Sequence, residues 1–188
     1  MRLSVLLTLS LCGVVAAVAA APPKPAFAAG LEAASCPANA KKANLNFTLK
    51  SLDGRDVRLA DYRGKVLLLD FWATWCAPCK VEIPAFIDLY KTYKPKGFEA
   101  VGVVVMEDFA KAKPFVLQNG INYTILNGVD REDIEDAFGP LFALPTSLII
   151  ARDGRICARH VGLPPTKTKD PAVSEVKEAF AAAIKALL

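Results

Sequence analysis

The sequence predicts a mixed α/β fold: a central β-sheet flanked by helices, extended at its N-terminal side by a β-hairpin. Three observations carry that prediction. Two runs, Val66–Trp72 and Phe98–Val105, are apolar at nearly every position, the pattern of strands buried on both faces. A segment with helical spacing follows each of them. A strand–turn–strand pattern and a closing amphipathic stretch come last, so hairpin, β-α-β-α, β-hairpin and helix layer helices on a mixed sheet.

Taken in order, Phe47–Leu49 and Val57–Leu59 flank Asp53-Gly54, a residue pair suited to a tight turn. Lys65 opens the first buried strand, and helical spacing then runs from Pro78 to about Tyr93. After the second buried strand, Asp108–Asn119 reads as a helix stopped by Gly120, with Pro114 disturbing its first turns. Tyr123–Leu126 reads as a short strand and Arg131–Phe138 as a short helix. Thr146–Ile150 and Ile156–Val161 join through Asp153-Gly154 into a second hairpin, and Ala172–Leu188 closes the chain as an amphipathic helix.

With 188 residues and 53% hydrophobic content, the chain can fill one core. Ten Phe and a charged fraction of 22% exclude a disordered chain. The net charge is +4, and the lysines at 41–42, 91–96 and 167–169 are scattered rather than massed, which points away from nucleic acid. Residues 1–21 read as a signal peptide or membrane anchor: Arg2 is followed by no charge from Leu3 to Ala21, and small residues such as Val18-Ala19-Ala20 end the stretch. Residues 22–43 read as a linker and 44–188 as the folded domain. Either reading of the leader puts that domain in an extracytoplasmic, periplasmic setting.

The chemistry lies at Cys76-Ala77-Pro78-Cys79. Two Cys at this spacing, at the start of a helix, can close a small disulfide ring with little backbone movement. Pro78 suits a first helical turn, where its missing N–H costs nothing. The positive end of the helix dipole favours a thiolate at Cys76, which is then the attacking sulfur, open to clients, and Cys79 the resolving one. Haem attachment would need His at position 80, where Lys80 stands. A zinc site would need two further ligands, for which Cys36, Cys157 and His160 are available, so metal binding stays open beside redox chemistry.

Asp70-Phe71-Trp72-Ala73-Thr74-Trp75-Cys76-Ala77-Pro78-Cys79-Lys80 resembles the active-site string of the thioredoxin superfamily. Pro84 matches that family's helix proline, and Leu144-Pro145-Thr146 its cis-proline segment. The leader, the hairpin ahead of the motif and Cys79-Lys80-Val81-Glu82-Ile83-Pro84 are similar to the TlpA/ResA/CcmG-like branch. The resemblance covers about residues 44–188. It implies a thioredoxin fold and an extracytoplasmic thiol–disulfide oxidoreductase. Such a protein needs no metal or organic cofactor, because the dithiol carries the electrons. It implies protein disulfides as substrates, such as those of apocytochrome c or of copper-site and oxidase assembly factors, and a membrane thiol carrier as electron donor. A disulfide donor for folding proteins stays open. So does a thiol peroxidase, although a peroxidatic Cys typically follows a Thr by three positions and Thr74 precedes Cys76 by two.

The resemblance also assigns residues. Asp70 is a carboxylate inside a buried apolar run, where burial raises its pKa. By resemblance it lies behind Cys79 and shuttles that thiol's proton. Glu82, one helical turn beyond Cys79, is either an ordinary acid near a helix start or, by resemblance, an acid that tunes the thiols. Pro145 is either a strand-edge proline or, by resemblance, the second half of a cis Leu144–Pro145 bond. In the latter case the Leu144 backbone is offered to a client as to an added strand. Trp75 is the candidate docking surface and His160 a structural or surface residue. Cys36 and Cys157 form a structural disulfide by resemblance, with free thiols or a second redox pair as alternatives.

Overall fold

The computed structural model describes residues 36–165 and 172–188. The leader at 1–21 and the linker up to residue 35 lie outside the described residues. Among the described residues, no helix is long and apolar enough to cross a membrane.

The fold opens with a small antiparallel hairpin, β1 (Thr48–Lys50) and β2 (Asp56–Arg58). There follow β3 (Val66–Trp72), α1 (Ala77–Tyr93), β4 (Phe98–Val104), α2 (Ala112–Gln118), β5 (Thr124–Asn127) and α3 (Glu132–Phe138). The closing hairpin is β6 (Thr146–Ile150) and β7 (Ile156–Val161), and the last helix is α4 (Val173–Leu187). The main sheet has the order β5-β4-β3-β6-β7. Strands β3, β4 and β5 are parallel, β6 runs antiparallel to β3, and β7 antiparallel to β6.

All seven residues of β3 are buried, as a central strand with layers on both faces requires. Leu67, Leu69 and Phe71 point into one core with Phe47, Leu49, Ile134 and Phe138, under the small hairpin and α3. Val66, Leu68 and Trp72 point into the other, with Ile83, Phe86, Phe180 and Ile184 of α1 and α4. Phe86 and Phe180 meet edge-on with ring centroids 4.8 Å apart, joining these two helices. The alternation of the strand therefore delivers Asp70 into the layer beneath α1.

One segment departs from its sequence pattern. Asp108–Asn119 is not a single helix: Asp108 caps a 3₁₀ turn at Phe109–Lys111, and α2 starts only at Ala112. Pro114 thereby falls in the first turn of α2, where a backbone N–H has no intrahelical partner to lose.

Residues 41–43 pair with the turn of the closing hairpin, through Ala43 N–H to the Gly154 carbonyl and Ile156 N–H to the Lys41 carbonyl. Cys36 and Cys157 are disulfide-bonded, with Cα atoms 4.5 Å apart. The β6–β7 register shifts at this point: Ile150 pairs with Ile156 and Ile149 with Ala158, leaving Cys157 as the extra residue of a bulge. A bulge re-aims a side chain, and here it turns Cys157 toward the N-terminal segment.

Candidate active site

The end of β3 leads through Ala73–Trp75 directly into α1, whose N-cap is Cys76. Its sulfur accepts the Cys79 N–H at 3.2 Å, and Pro78 occupies the first turn. Cys76 and Cys79 are joined as a disulfide with Cα atoms 5.3 Å apart, so this is the oxidised form. Cys76 keeps only 3% of its surface exposed and Cys79 only 1%, which corrects the expectation of an open first sulfur. In the closed ring Cys76 Sγ is drawn in over the first helical turn, both by its bond to Cys79 and by that residue's N–H.

What surrounds the ring is more open. Trp75 is 59% exposed, and its Nε1 donates to the Met106 carbonyl at 3.2 Å. Thr74 donates from both N–H and hydroxyl to the Glu107 carboxylate, at 2.5 and 2.7 Å. Met106 has a left-handed φ of 59°, and this bend at the exit of β4 presents the Met106 carbonyl and the Glu107 side chain to the same loop. A cleft of about 550 Å³ runs alongside, walled by residues 105–108 and 128–132. The Leu144–Pro145 peptide is cis. Thr146 pairs with Phe71, so Pro145 sits beside the segment that enters the disulfide loop, with exposed Phe142 just ahead of it. Glu107 and Met106 carry no local sequence signal; the bend at the exit of β4 brings them to the Thr74–Trp75 loop.

Behind the disulfide lie two buried acids. On α1, Cys79, Glu82, Ile83 and Phe86 are all buried and follow the spacing of one helical face. Glu82 is fully buried against the sheet and is therefore not the solvated helix-start acid that was its alternative reading. Neither of its carboxyl oxygens has a hydrogen-bond partner among the described residues. Asp70, 2% exposed, accepts the Ser147 hydroxyl on Oδ1 at 2.8 Å. Burial pushes the Asp70 carboxyl up to about 7. Burial, and next the Asp70 charge, push Glu82 well above the carboxylate range. Tyr123, whose buried hydroxyl also has no partner among the described residues, is raised by the same burial and by both acids. His160 is buried rather than at the surface. It stands opposite Ser147 on β7 with its ring 5.8 Å from Phe180, and burial lowers it to about 4, leaving it neutral at pH 7.

Among the described residues, no group of three or more His, Cys, Asp or Glu could hold a metal ion. What the arrangement can do is form and break one disulfide, with two buried carboxyls held dry behind it.

A mixed five-stranded sheet, a disulfide at the mouth of its first long helix and a cis proline beside it define a thioredoxin-like protein with a dithiol–disulfide centre. The chain belongs to the AhpC/TSA family, whose profile matches residues 40–159. It is 38% identical over 112 residues to the thiol-disulfide oxidoreductase ResA of Geobacillus thermodenitrificans, a match spanning 59% of this chain and 63% of ResA. The chain thus matches less than two thirds of that relative's length. Among solved structures it superposes on a thioredoxin-family thiol:disulfide interchange protein of Chlorobium tepidum with a TM-score of 0.65 and 27% identity, covering 79% of this chain and 99% of the other. A secreted Mycobacterium tuberculosis disulfide oxidoreductase homologous to E. coli DsbE gives 0.60 and 25%, covering 73% and 96%.

Proposed function

We propose that this chain is an extracytoplasmic thiol–disulfide oxidoreductase that reduces disulfides in partner proteins. The observation that carries the reading is the Cys76–Cys79 disulfide at the N-terminus of α1, backed by two buried carboxyls. The exposed Trp75 and the Leu144–Pro145 edge supply a place for a client strand to lie. The kinship with ResA and with a secreted DsbE-like oxidoreductase supports the extracytoplasmic setting and the signal or anchor at 1–21. The clients we propose, on the resemblance of the motif to the TlpA/ResA/CcmG-like branch, are proteins such as apocytochrome c or copper-site and oxidase assembly factors, with a membrane thiol carrier as electron donor.

In the reaction, Cys76 thiolate attacks one sulfur of the client disulfide, and the other client sulfur leaves as thiolate and takes a proton. Cys79 then gives its proton to the carboxyl pair, and its thiolate attacks Cys76 Sγ. The second client thiolate leaves, so two electrons pass from the dithiol to the client, and Cys76–Cys79 is closed again. The helix N-terminus stabilises Cys76 as attacking and as leaving thiolate. Trapping clients from cells with Cys79→Ala tests the assignment, because the first mixed disulfide then cannot resolve. Recovery of proteins carrying cysteine pairs for haem or copper is the expected result. A dithiol that fails to exchange with glutathione would remove the function altogether, and a strongly oxidising potential would replace the reductase by a disulfide donor.

A further inference from the structure

The acid pair raises a question that the dithiol reading, on which this inference rests, leaves open: which carboxyl carries the charge. Among the described residues neither Asp70 nor Glu82 joins an ion pair. Two carboxylates in one dry pocket disfavour each other strongly, so the pair holds at least one proton at neutral pH. The groups that face it are few. From α1 come Cys79 and Glu82 itself, from the segment ahead of β5 the Tyr123 hydroxyl, and from β7 the neutral His160. From β4 comes only Gly102, directly opposite Asp70 and without a side chain, and α4 presents Val176, Phe180 and Ile184.

Ser147 is different. It is buried and pairs directly with Asp70 across β3 and β6; its hydroxyl lowers both carboxyls, Asp70 as the second of two causes and Glu82 only as the last, behind burial and the Asp70 charge. A serine hydroxyl has one proton to donate, and in this structure it is donated to Asp70 at 2.8 Å while both Glu82 oxygens go without. We propose that Ser147 is a positioning residue that assigns the single negative charge of the buried pair to Asp70, so that Asp70 takes the Cys79 proton and Glu82 stays protonated. A hydrogen bond to the charged form of an acid favours that form, and here the β3–β6 register fixes the donor in place. The charge is thereby held on the sheet, beneath the helix that carries the sulfurs.

The test compares full-length wild type with Ser147→Ala and Ser147→Thr in stopped-flow reduction of a disulfide-bonded peptide across the pH range. Loss of the hydroxyl moves the midpoint of the pH–rate profile up by about one pH unit, with turnover roughly tenfold slower below it, and Thr restores the wild-type profile. An Ala variant that folds and keeps the wild-type profile overturns the proposal. Infrared spectra of the protein with ¹³C-labelled Asp give a second reading that does not need turnover. The protonated-carboxyl band that is absent in Asp70→Asn disappears near neutral pH while a Glu band persists, and the reverse order overturns the proposal. Absence of all peptide reduction and of glutathione exchange would instead strike the oxidoreductase reading, while the infrared order, recorded also for Ser147→Ala, would still judge Ser147: an order unchanged in that variant overturns its role.

Discussion

Replacing Asp70 by Asn removes a buried charge while keeping the shape of the side chain and an oxygen for the Ser147 hydroxyl. Burial raises this carboxyl from the ordinary 3.8 to about 7, and at 2% exposure solvent does little to screen the effect. Between those values the folded chain holds a proton that the unfolded chain has released, so stability falls as pH rises. The contribution is complete below the unfolded value and gone above the folded one. Three pKa units at about 1.4 kcal/mol each give about 4 kcal/mol. Asp70→Asn has no such loss, so its stability relative to wild type should rise by about 4 kcal/mol from about pH 4 to about pH 8. The measurement is guanidinium unfolding of both oxidised proteins at the two pH values, followed by circular dichroism. Groups common to both chains cancel in the difference, Glu82 included for as long as it keeps its proton. A gap that is the same at both pH values would refute the reasoning, since it would mean that Asp70 titrates alike in folded and unfolded chains.

Converting Cys36 and Cys157 together to Ser removes a link spanning 121 residues. Thermal melting should show a loss of up to roughly 4–5 kcal/mol, and a glutathione titration an unchanged Cys76–Cys79 potential. Trp75→Ala should raise KM for a protein disulfide roughly tenfold with kcat nearly kept, because it removes an exposed aromatic anchor and leaves the sulfurs alone; steady-state kinetics with a protein client separates the two constants. In Gly102→Ala the new Cβ would lie 2.7 Å from Trp72 Nε1 and 2.8 Å from Ile125 Cδ1. Overpacking of this kind costs about 1–3 kcal/mol, to be read from urea unfolding; no loss would mean that Trp72 moves aside freely.

The sequence disclosed most where one physical demand dominates. Val66–Trp72 has to be buried on both faces, so its composition alone marks it as a central strand, and Asp70 stands out there because a carboxylate in such a run needs a reason. Pro78 and the two cysteines mark a helix start for equally local causes. Features set by register left no trace in the chain. Ser147 is an ordinary polar residue until β6 is laid beside β3, and Glu107 becomes the support of the Thr74 loop only through the left-handed bend at Met106. Helix spacing, likewise, allowed Glu82 to be solvated or buried; the packing of the Cys79, Ile83 and Phe86 face of α1 on the sheet decided for burial.

The two disulfides differ in kind because of where the sheet puts them. Cys157 neighbours Ile156, which pairs with Ile150 and through it with Leu67, near the start of β3, whereas Cys76 lies beyond the end of that strand. Seven residues of extended chain measure about 20 Å. Thiol–disulfide exchange needs the attacking thiolate in contact with the sulfur it displaces. The Cys76 thiolate therefore cannot reach the Cys36–Cys157 bond of its own chain while the sheet is intact. One sulfur pair can cycle at the helix end of β3 with two acids behind it, and the other can hold the N-terminal segment at the opposite end without entering that cycle.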